Sequence, residues 1–240
     1  YSDIFKNIWM ILFAGGDCAE DIHTNLKSEL SNILGMKISS PDTILRLQKE
    51  LCPSKEIHMS KAKILNEFSK NERLNELNLA ILLLTNQLKK GHGYDLDFDN
   101  QFIPCEKYDS KKSYKMKNGY FPGIATIGKN IVYLENRNGN SNVKFKQEET
   151  LQRVYDLLSS DGIKIKRSRM DCGSFTKEVI NVVEKNSEQF YIRAQKCAEL
   201  TNQIKAVQNW KKVIIGNKEV EVASLNYSPF GSKKSYRYVV

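Results

Sequence analysis

The run Tyr94-Asp95-Leu96-Asp97-Phe98-Asp99 constrains this chain more than any other stretch, because apolar and acidic residues alternate along it without a break. In a strand, successive side chains point to opposite faces, so Tyr94, Leu96 and Phe98 share one face while Asp95, Asp97 and Asp99 share the other. Three carboxylates in a row repel one another unless water or a cation compensates them. The run therefore predicts a strand with one face in the core and one face that requires positive charge. A second acid near a strand end, Asp171 in Arg169-Met170-Asp171-Cys172-Gly173, suggests a metal site built from two strand ends.

Before this run the pattern has a helical period. Cys18, Ile22, Leu26, Leu30 and Ile33 recur at the spacing of one helix face, and Gly35 reads as a stop. Ser40-Pro41-Asp42-Thr43 reads as a helix start, with Ser40 as cap, Pro41 in the first turn and Asp42 at the positive end of the dipole. The helix it opens is expected to turn Ile44, Leu45, Leu47 and Leu51 inward. Two helices joined by a glycine-containing turn give the frame of a helix-turn-helix, in which Ser40 and Thr43 would touch DNA, or else a plain helical hairpin. A further helix is expected over about 71–88, burying Leu74, Leu77, Ala80, Ile81 and Leu84. Residues 1–90 thus read as a helical domain with few strand signals, ending near Gly91-His92-Gly93.

After Tyr94 the period becomes two. Lys107, Lys111, Lys112, Lys115 and Lys117, interleaved with Tyr108 and Tyr114, form either a basic, aromatic loop suited to a nucleic-acid backbone or a solvated lysine loop. Strands are expected over 119–127 and 131–135, joined by a turn at Gly128-Lys129-Asn130. A loop at Arg137-Asn138-Gly139-Asn140 leads to a helix with Leu151, Val154, Tyr155 and Leu158 inward. A strand over 163–171, a helix capped by Ser174 and a strand at Phe190-Tyr191-Ile192-Arg193 follow. The order strand, strand, strand, helix, strand, helix, strand is that of a mixed α/β ribonuclease H-like sheet over residues 91–196, in which acids on the first and fourth strands meet. Residues 197–240 read as a helix followed by the start of a β-rich insertion.

The 240 residues carry a formal charge of +9, which favours a polyanionic partner, nucleic acid ahead of a membrane surface. Cys18, Cys52, Cys105, Cys172 and Cys197 are scattered without a CxxC pair and read as reduced thiols in a cytoplasmic protein. The apolar runs at 8–14 and 79–84 are too short to span a bilayer. The sequence begins at Tyr1 and stops in a strand-like run at Val240, so it is expected to be a piece of a longer protein. His23, His58 and His92 are dispersed, which leaves little support for a Ser-His-Asp or Cys-His site.

Asp99 and Asp171 at neighbouring strand ends suit Mg²⁺, a hard cation that takes oxygen ligands. Two such ions support in-line displacement at phosphorus, with water for nicking and a DNA 3′-hydroxyl for joining. The competing reading makes each acid a loop cap.

The run Tyr94 to Gln101, Gly119-Tyr120-Phe121-Pro122-Gly123, Arg137-Asn138-Gly139-Asn140 and Arg169 to Phe175 together resemble bacterial insertion-sequence transposases of the Asp-Asp-Glu (DDE) class, specifically the group with a β-rich insertion before the final Glu. The resemblance spans nearly the whole chain, including Gly15-Gly16-Asp17 and Ser40-Pro41-Asp42-Thr43. It makes Asp99 the first acid and Asp171 the second, each a ligand to Mg²⁺ or Mn²⁺. Asp97 is a substitute for the first, since Gln101 stands where relatives often carry Thr. No residue matches the third acid, so this chain alone is expected to lack a complete site. The resemblance further implies front helices that bind terminal inverted repeats of double-stranded DNA, a homodimer on that DNA, and a nucleoid-associated protein without a membrane anchor. Arg137, Asn140 and Arg169 would lie near the acids and hold the backbone, or serve as turn and strand residues. A nuclease of the same fold that only hydrolyses, and a DNA-binding remnant without catalysis, are the alternatives.

Overall fold

A computed structural model describes residues 2–33, 35, 37–51 and 55–240; Cys52, among the expected free thiols, lies outside them. In chain order the elements are α1 (Ser2–Phe13), α2 (Asp21–Thr24), α3 (Lys27–Leu30), α4 (Pro41–Leu51), β1 (Glu56–Met59), β2 (Leu65–Ser69) and α5 (Glu72–Leu84). There follow β3 (Gly93–Asn100), β4 (Ile103–Pro104), β5 (Lys111–Lys112), β6 (Asn118–Tyr120), β7 (Gly123–Ile127), β8 (Asn130–Arg137), α6 (Gln147–Ser160), β9 (Lys164–Met170), α7 (Lys177–Asn186) and β10 (Gln189–Ile192). The chain closes with α8 (Ala198–Ala206), β11 (Lys211–Ile215), β12 (Lys218–Val222), β13 (Ser224–Tyr227) and β14 (Tyr236–Val239).

A seven-stranded mixed sheet in the order β1-β2-β8-β7-β3-β9-β10 forms the body of the molecule. β3 is an interior strand, antiparallel to β7 and parallel to β9, and β9 is parallel to β10. The expected alternation is what the strand does: Leu96 and Phe98 are buried with Ala125, Ile127, Leu151, Val154, Leu158, Val179 and Val183, while the acids face outward. Truncating a side chain such as Leu96, which has no exposed surface, to Ala costs about 2 to 5 kcal/mol. The expected helix of 147–160 buries the four residues assigned to it. Gly128 turns from β7 into β8 with φ +61°, a conformation that glycine adopts without strain.

Residues 1–90 depart from the all-helical expectation. β1 and β2 form a hairpin that pairs with β8 and extends the large sheet. Leu79 of α5 joins the sheet's core, so only the cluster of Ile4, Ile11, Ile22, Leu30 and Ile44 is a separate helical core. The helix expected over 18–33 is broken into the single-turn pieces α2 and α3, which leaves the helix-turn-helix frame without its first full helix. Of its apolar positions, Ile22 and Leu30 are buried from separate turns, whereas Cys18 and Ile33 are exposed. In α4, Ile44 is buried but Leu45 is exposed.

α5 forms where expected but turns a different face inward. Leu84 is 82% exposed and Leu77 is exposed too, while Asn75 and Leu79 are buried. The reason lies in the edge of β8 beyond its pairing with β2. The Asn75 side chain accepts from Leu134 N at 2.8 Å and donates to Leu134 O at 3.0 Å, and Asn78 donates to Ile131 O at 2.7 Å. Two asparagines thus supply what a further strand would have supplied, and their hydrogen bonds set the helix rotation against the spacing of its leucines.

Candidate metal centre and its basic rim

β3 and β9 bring the acid row of one strand against the basic row of the other. Asp95 pairs in register with Arg167 and Asp97 with Arg169. A bulge at Tyr94/Asp95 sets this register. Arg167 Nε lies 2.8 Å from Asp95 Oδ1, and Arg169 grips Asp97 with Nε at 2.6 Å and Nη2 at 2.7 Å. The cation that the row requires is therefore, for two of its three acids, supplied by arginines of the adjacent strand. This makes Asp97 the weaker candidate ligand, because both its oxygens are engaged by Arg169.

The same register continued past Met170 sets Asp171 beside Asp99, and here the partner is another acid. Asp99 Oδ1 accepts from Asn100 N at 2.8 Å, and Asp171 Oδ1 accepts from Gly173 N at 2.8 Å as the cap of a short 3-10 turn. A Cβ at residue 173 would lie 2.9 Å from that oxygen, which accounts for glycine there. Among the described residues neither carboxylate has an ion-pair partner, unlike Asp95 and Asp97. Partial removal from water raises the Asp99 pKa; the Asn100 N–H opposes this, the Asp171 charge pushes it up further, and Lys115 draws it down. Two facing carboxylates with hard oxygen donors and no fixed counter-ion fit a divalent cation of the Mg²⁺ type. The loop-cap reading is satisfied at the same time, since each acid spends one oxygen on a local N–H and keeps the other. The acidic group Asp17, Cys18 and Asp21 has a local explanation, because Asp21 Oδ2 accepts from the N–H groups of residues 17 and 18 at 3.0 and 3.2 Å.

Arg137 does not reach this site. It is 1% exposed, stacks 4.1 Å over Phe68, donates to Phe145 O at 2.6 Å and meets Glu135 at 3.4 Å. Of its two expected roles only the structural one is open to it, because a guanidinium inside the β8–α6 junction has no surface for DNA. Asn140 Oδ1 is buried without a partner, in the loop that leaves that junction. Arg169 lies beside the acids, half-exposed but tied to Asp97. Ser40 and Thr43 hydrogen-bond each other at 2.9 Å, and Ser40 Oγ accepts from Thr43 N at 3.3 Å; they cap α4 in the helical cluster and are not brought to the acid pair. Ser174, expected to cap α7, is fully buried in the 3-10 turn, and Thr176 caps instead, accepting from Val179 N at 3.2 Å.

Lys111 and Lys112 lie exposed on β5 of a small three-stranded sheet in the order β4-β6-β5. Lys115 projects from the turn between β5 and β6, where its ammonium lies over the rings of Phe102 and Tyr114 at 5.7 and 5.9 Å. Asp109 anchors this sheet, accepting from Lys55 Nζ at 2.6 Å and from the Tyr120 hydroxyl. Two features escaped the sequence reading: the Asn100–Gln147 contact at 3.0 Å behind the acids, and the aromatic group Phe102, Tyr114 and Phe121. The only signal for the second was three rings spread across a loop, and no periodicity joins them.

No protein-family profile and no curated protein matches the sequence. Among solved structures, the chain is similar to the catalytic domain of Mos1 mariner transposase, with 10% identity and a TM-score of 0.31 over 55% of this chain and 68% of that one. The Mos1 mariner paired end complex with Mn gives 12% identity and 0.31 over 85% and 70%, and the Drosophila P element transposase strand transfer complex gives 11% and 0.33 over 73% and 38%. Scores at this level do not carry a shared fold, and the chemistry of the site stands on its own residues.

Proposed function

We propose that this chain carries the first two carboxylates of a DDE-class DNA transposase, Asp99 and Asp171, on a ribonuclease H-like sheet. The observation that carries the reading lies just past the end of the β3–β9 ladder, where, after two acid–arginine pairs, the charge of Asp171 bears on Asp99 with no cation paired to either. Like charges placed side by side at strand ends and left without a counter-ion are costly to a fold, and they are kept where a cation binds. The strand order β8-β7-β3-β9-β10, three antiparallel and then two parallel, with α6 and α7 between the later strands, supports the fold named.

Bound divalent metal, two ions of Mg²⁺ or Mn²⁺ in a complete site, would supply charge stabilisation at a phosphoryl group and an activated hydroxyl. Asp99 and Asp171 would hold it, each through the oxygen not given to its own backbone. Lys111, Lys112, Lys115 and Arg169 would neutralise the backbone of double-stranded DNA at the rim. The insertion-sequence assignment, the terminal inverted repeats as substrate and the homodimer belong to this proposal.

Among the described residues no third acid joins the pair. That favours a second reading, a DNA-binding remnant without catalysis. The two part on metal. Mn²⁺ titration monitored by electron paramagnetic resonance is expected to show an ion bound by the chain and released by Asp99→Asn or Asp171→Asn. Mn²⁺ binding unchanged in both variants would sink the metal centre and leave the remnant. In a protein that contains this chain and cleaves DNA, either substitution is expected to abolish cleavage, and joining of the cut end to target DNA separates a transposase from a nuclease.

A further inference from the structure

Among the basic residues of the rim, Lys115 stands apart. Among the described residues Lys111 and Lys112 have no ring beneath them, whereas the Lys115 ammonium lies between Phe102 and Tyr114. Both rings rest on buried Phe121, at centroid distances of 5.9 and 5.8 Å. The turn that presents the lysine is also fixed: Ser113 N donates to Lys117 O at 2.9 Å, Met116 N to Ser113 O at 3.0 Å, and Lys115 N to the buried Ser113 Oγ at 3.1 Å. A cation over ring faces keeps its charge while its motion is restricted.

The seat is coupled to the acid pair through the sheet. Asn100 pairs with Gly123, Gln101 N donates to Pro122 O at 3.0 Å, and Phe102 and Phe121 follow on the two chains. Phe102, one of the two rings under the lysine, and Phe121, on which both rings rest, are thus the continuation of the β3–β7 pair that ends at Asn100–Gly123.

We propose that Lys115, seated on Phe102 and Tyr114, forms a phosphate subsite that holds one nucleic-acid backbone phosphate against the Asp99–Asp171 centre. The inference rests on the metal reading of that centre. Before nucleic acid binds, the ammonium acts on Asp99 through its charge alone, with no ion pair between them. Once a phosphate is present the ammonium has an anion of its own, and the same lysine joins the metal centre to the substrate.

The test uses the whole chain, Mn²⁺ alone and a short DNA duplex of arbitrary sequence. In Lys115→Met, Mn²⁺ is expected to bind about threefold to tenfold more tightly, because a positive charge near the carboxylates has gone. In the same variant the logarithmic salt slope of DNA binding is expected to fall by about one. Lys205→Met, a control at an exposed lysine of α8, is expected to leave the Mn²⁺ affinity unchanged. Tyr114→Leu, which keeps the charge and removes half of the seat, is expected to weaken DNA binding. Unchanged Mn²⁺ affinity in Lys115→Met, an unchanged salt slope, or no DNA binding by the wild-type chain would each overturn the subsite. Mn²⁺ binding unchanged in both Asp99→Asn and Asp171→Asn would instead overturn the metal centre, so the two failures are distinguishable.

Discussion

Two sets of carboxylates in this sheet face opposite problems. Glu135 is fully buried beneath α6 and has every need met: Arg153 donates at 2.7 and 3.0 Å, Thr150 at 2.7 Å, and Arg137 lies at 3.4 Å. Asp99 sits at the open end of the neighbouring strand pair, keeps one local N–H bond and has an acid for a neighbour. Burial allows a charge only where it is paired, whereas a strand end in contact with water tolerates an unpaired one. The first arrangement is what stability requires. The second departs from it at a single rung, and such departures concentrate at sites of function.

The comparison breaks most visibly at Glu135. Glu135→Ala leaves Arg137 buried without its carboxylate, and the expected loss is about 3 to 5 kcal/mol of unfolding free energy, read by urea denaturation. A loss below about 1 kcal/mol would mean that the buried cluster is as dispensable as a surface pair. Next in size is Asp171→Asn, expected to weaken Mn²⁺ binding by at least about tenfold, roughly 1.4 kcal/mol, with the fold retained in circular dichroism.

Proton linkage sharpens the contrast, because Asp109 and Asp99 are shifted in opposite directions. Lys55 first and then the Tyr120 hydroxyl hold Asp109 below the ordinary carboxylate range. A depressed folded-state pKa gives stability that is present above the unfolded value and lost as pH falls through the folded one. Wild type is therefore expected to exceed Asp109→Asn by about 1 kcal/mol at pH 6 and to lose that margin on acidification below about pH 4, in urea melts at both pH values. Asp99 is raised, so its contribution has the reverse sign: it is most favourable in acid and declines as pH rises through the folded value.

How much of this was legible in the sequence follows from the range of the interactions. The period-two run announced β3, its buried face and its demand for cations, because alternation is a local property. The helical period gave α6 in full. What failed depended on partners far along the chain. The rotation of α5 is set by the β8 edge through Asn75 and Asn78, and the burial of Arg137 is set by Glu135 and by the carbonyls that enter α6. The acid row was legible as a problem, while its solution by Arg167 and Arg169, 72 residues away in sequence, needed the register of β3 on β9. Asp97 could not be separated from Asp99 by pattern, since both occupy the same face. Pairing separates them.

The smallest effect expected is also the one that tests that separation most directly. Asp97 and Arg169 are both substantially exposed, so their bidentate pair contributes about 0.2 to 1 kcal/mol, and Asp97→Asn is expected to destabilise the chain by that amount. Asp99→Asn changes the same atoms one rung away but removes a repulsion, so at pH 7 it is expected to stabilise the chain by a few tenths of a kcal/mol, about the size of a surface charge effect. Matched denaturation curves at pH 7 read both signs. If the two substitutions shifted stability in the same direction, Asp99 would be paired like the other acids of the row and would have no vacancy to offer a metal. Opposite signs, together with Mn²⁺ affinity lost in Asp99→Asn and retained in Asp97→Asn, assign the ligand to the last acid of the row.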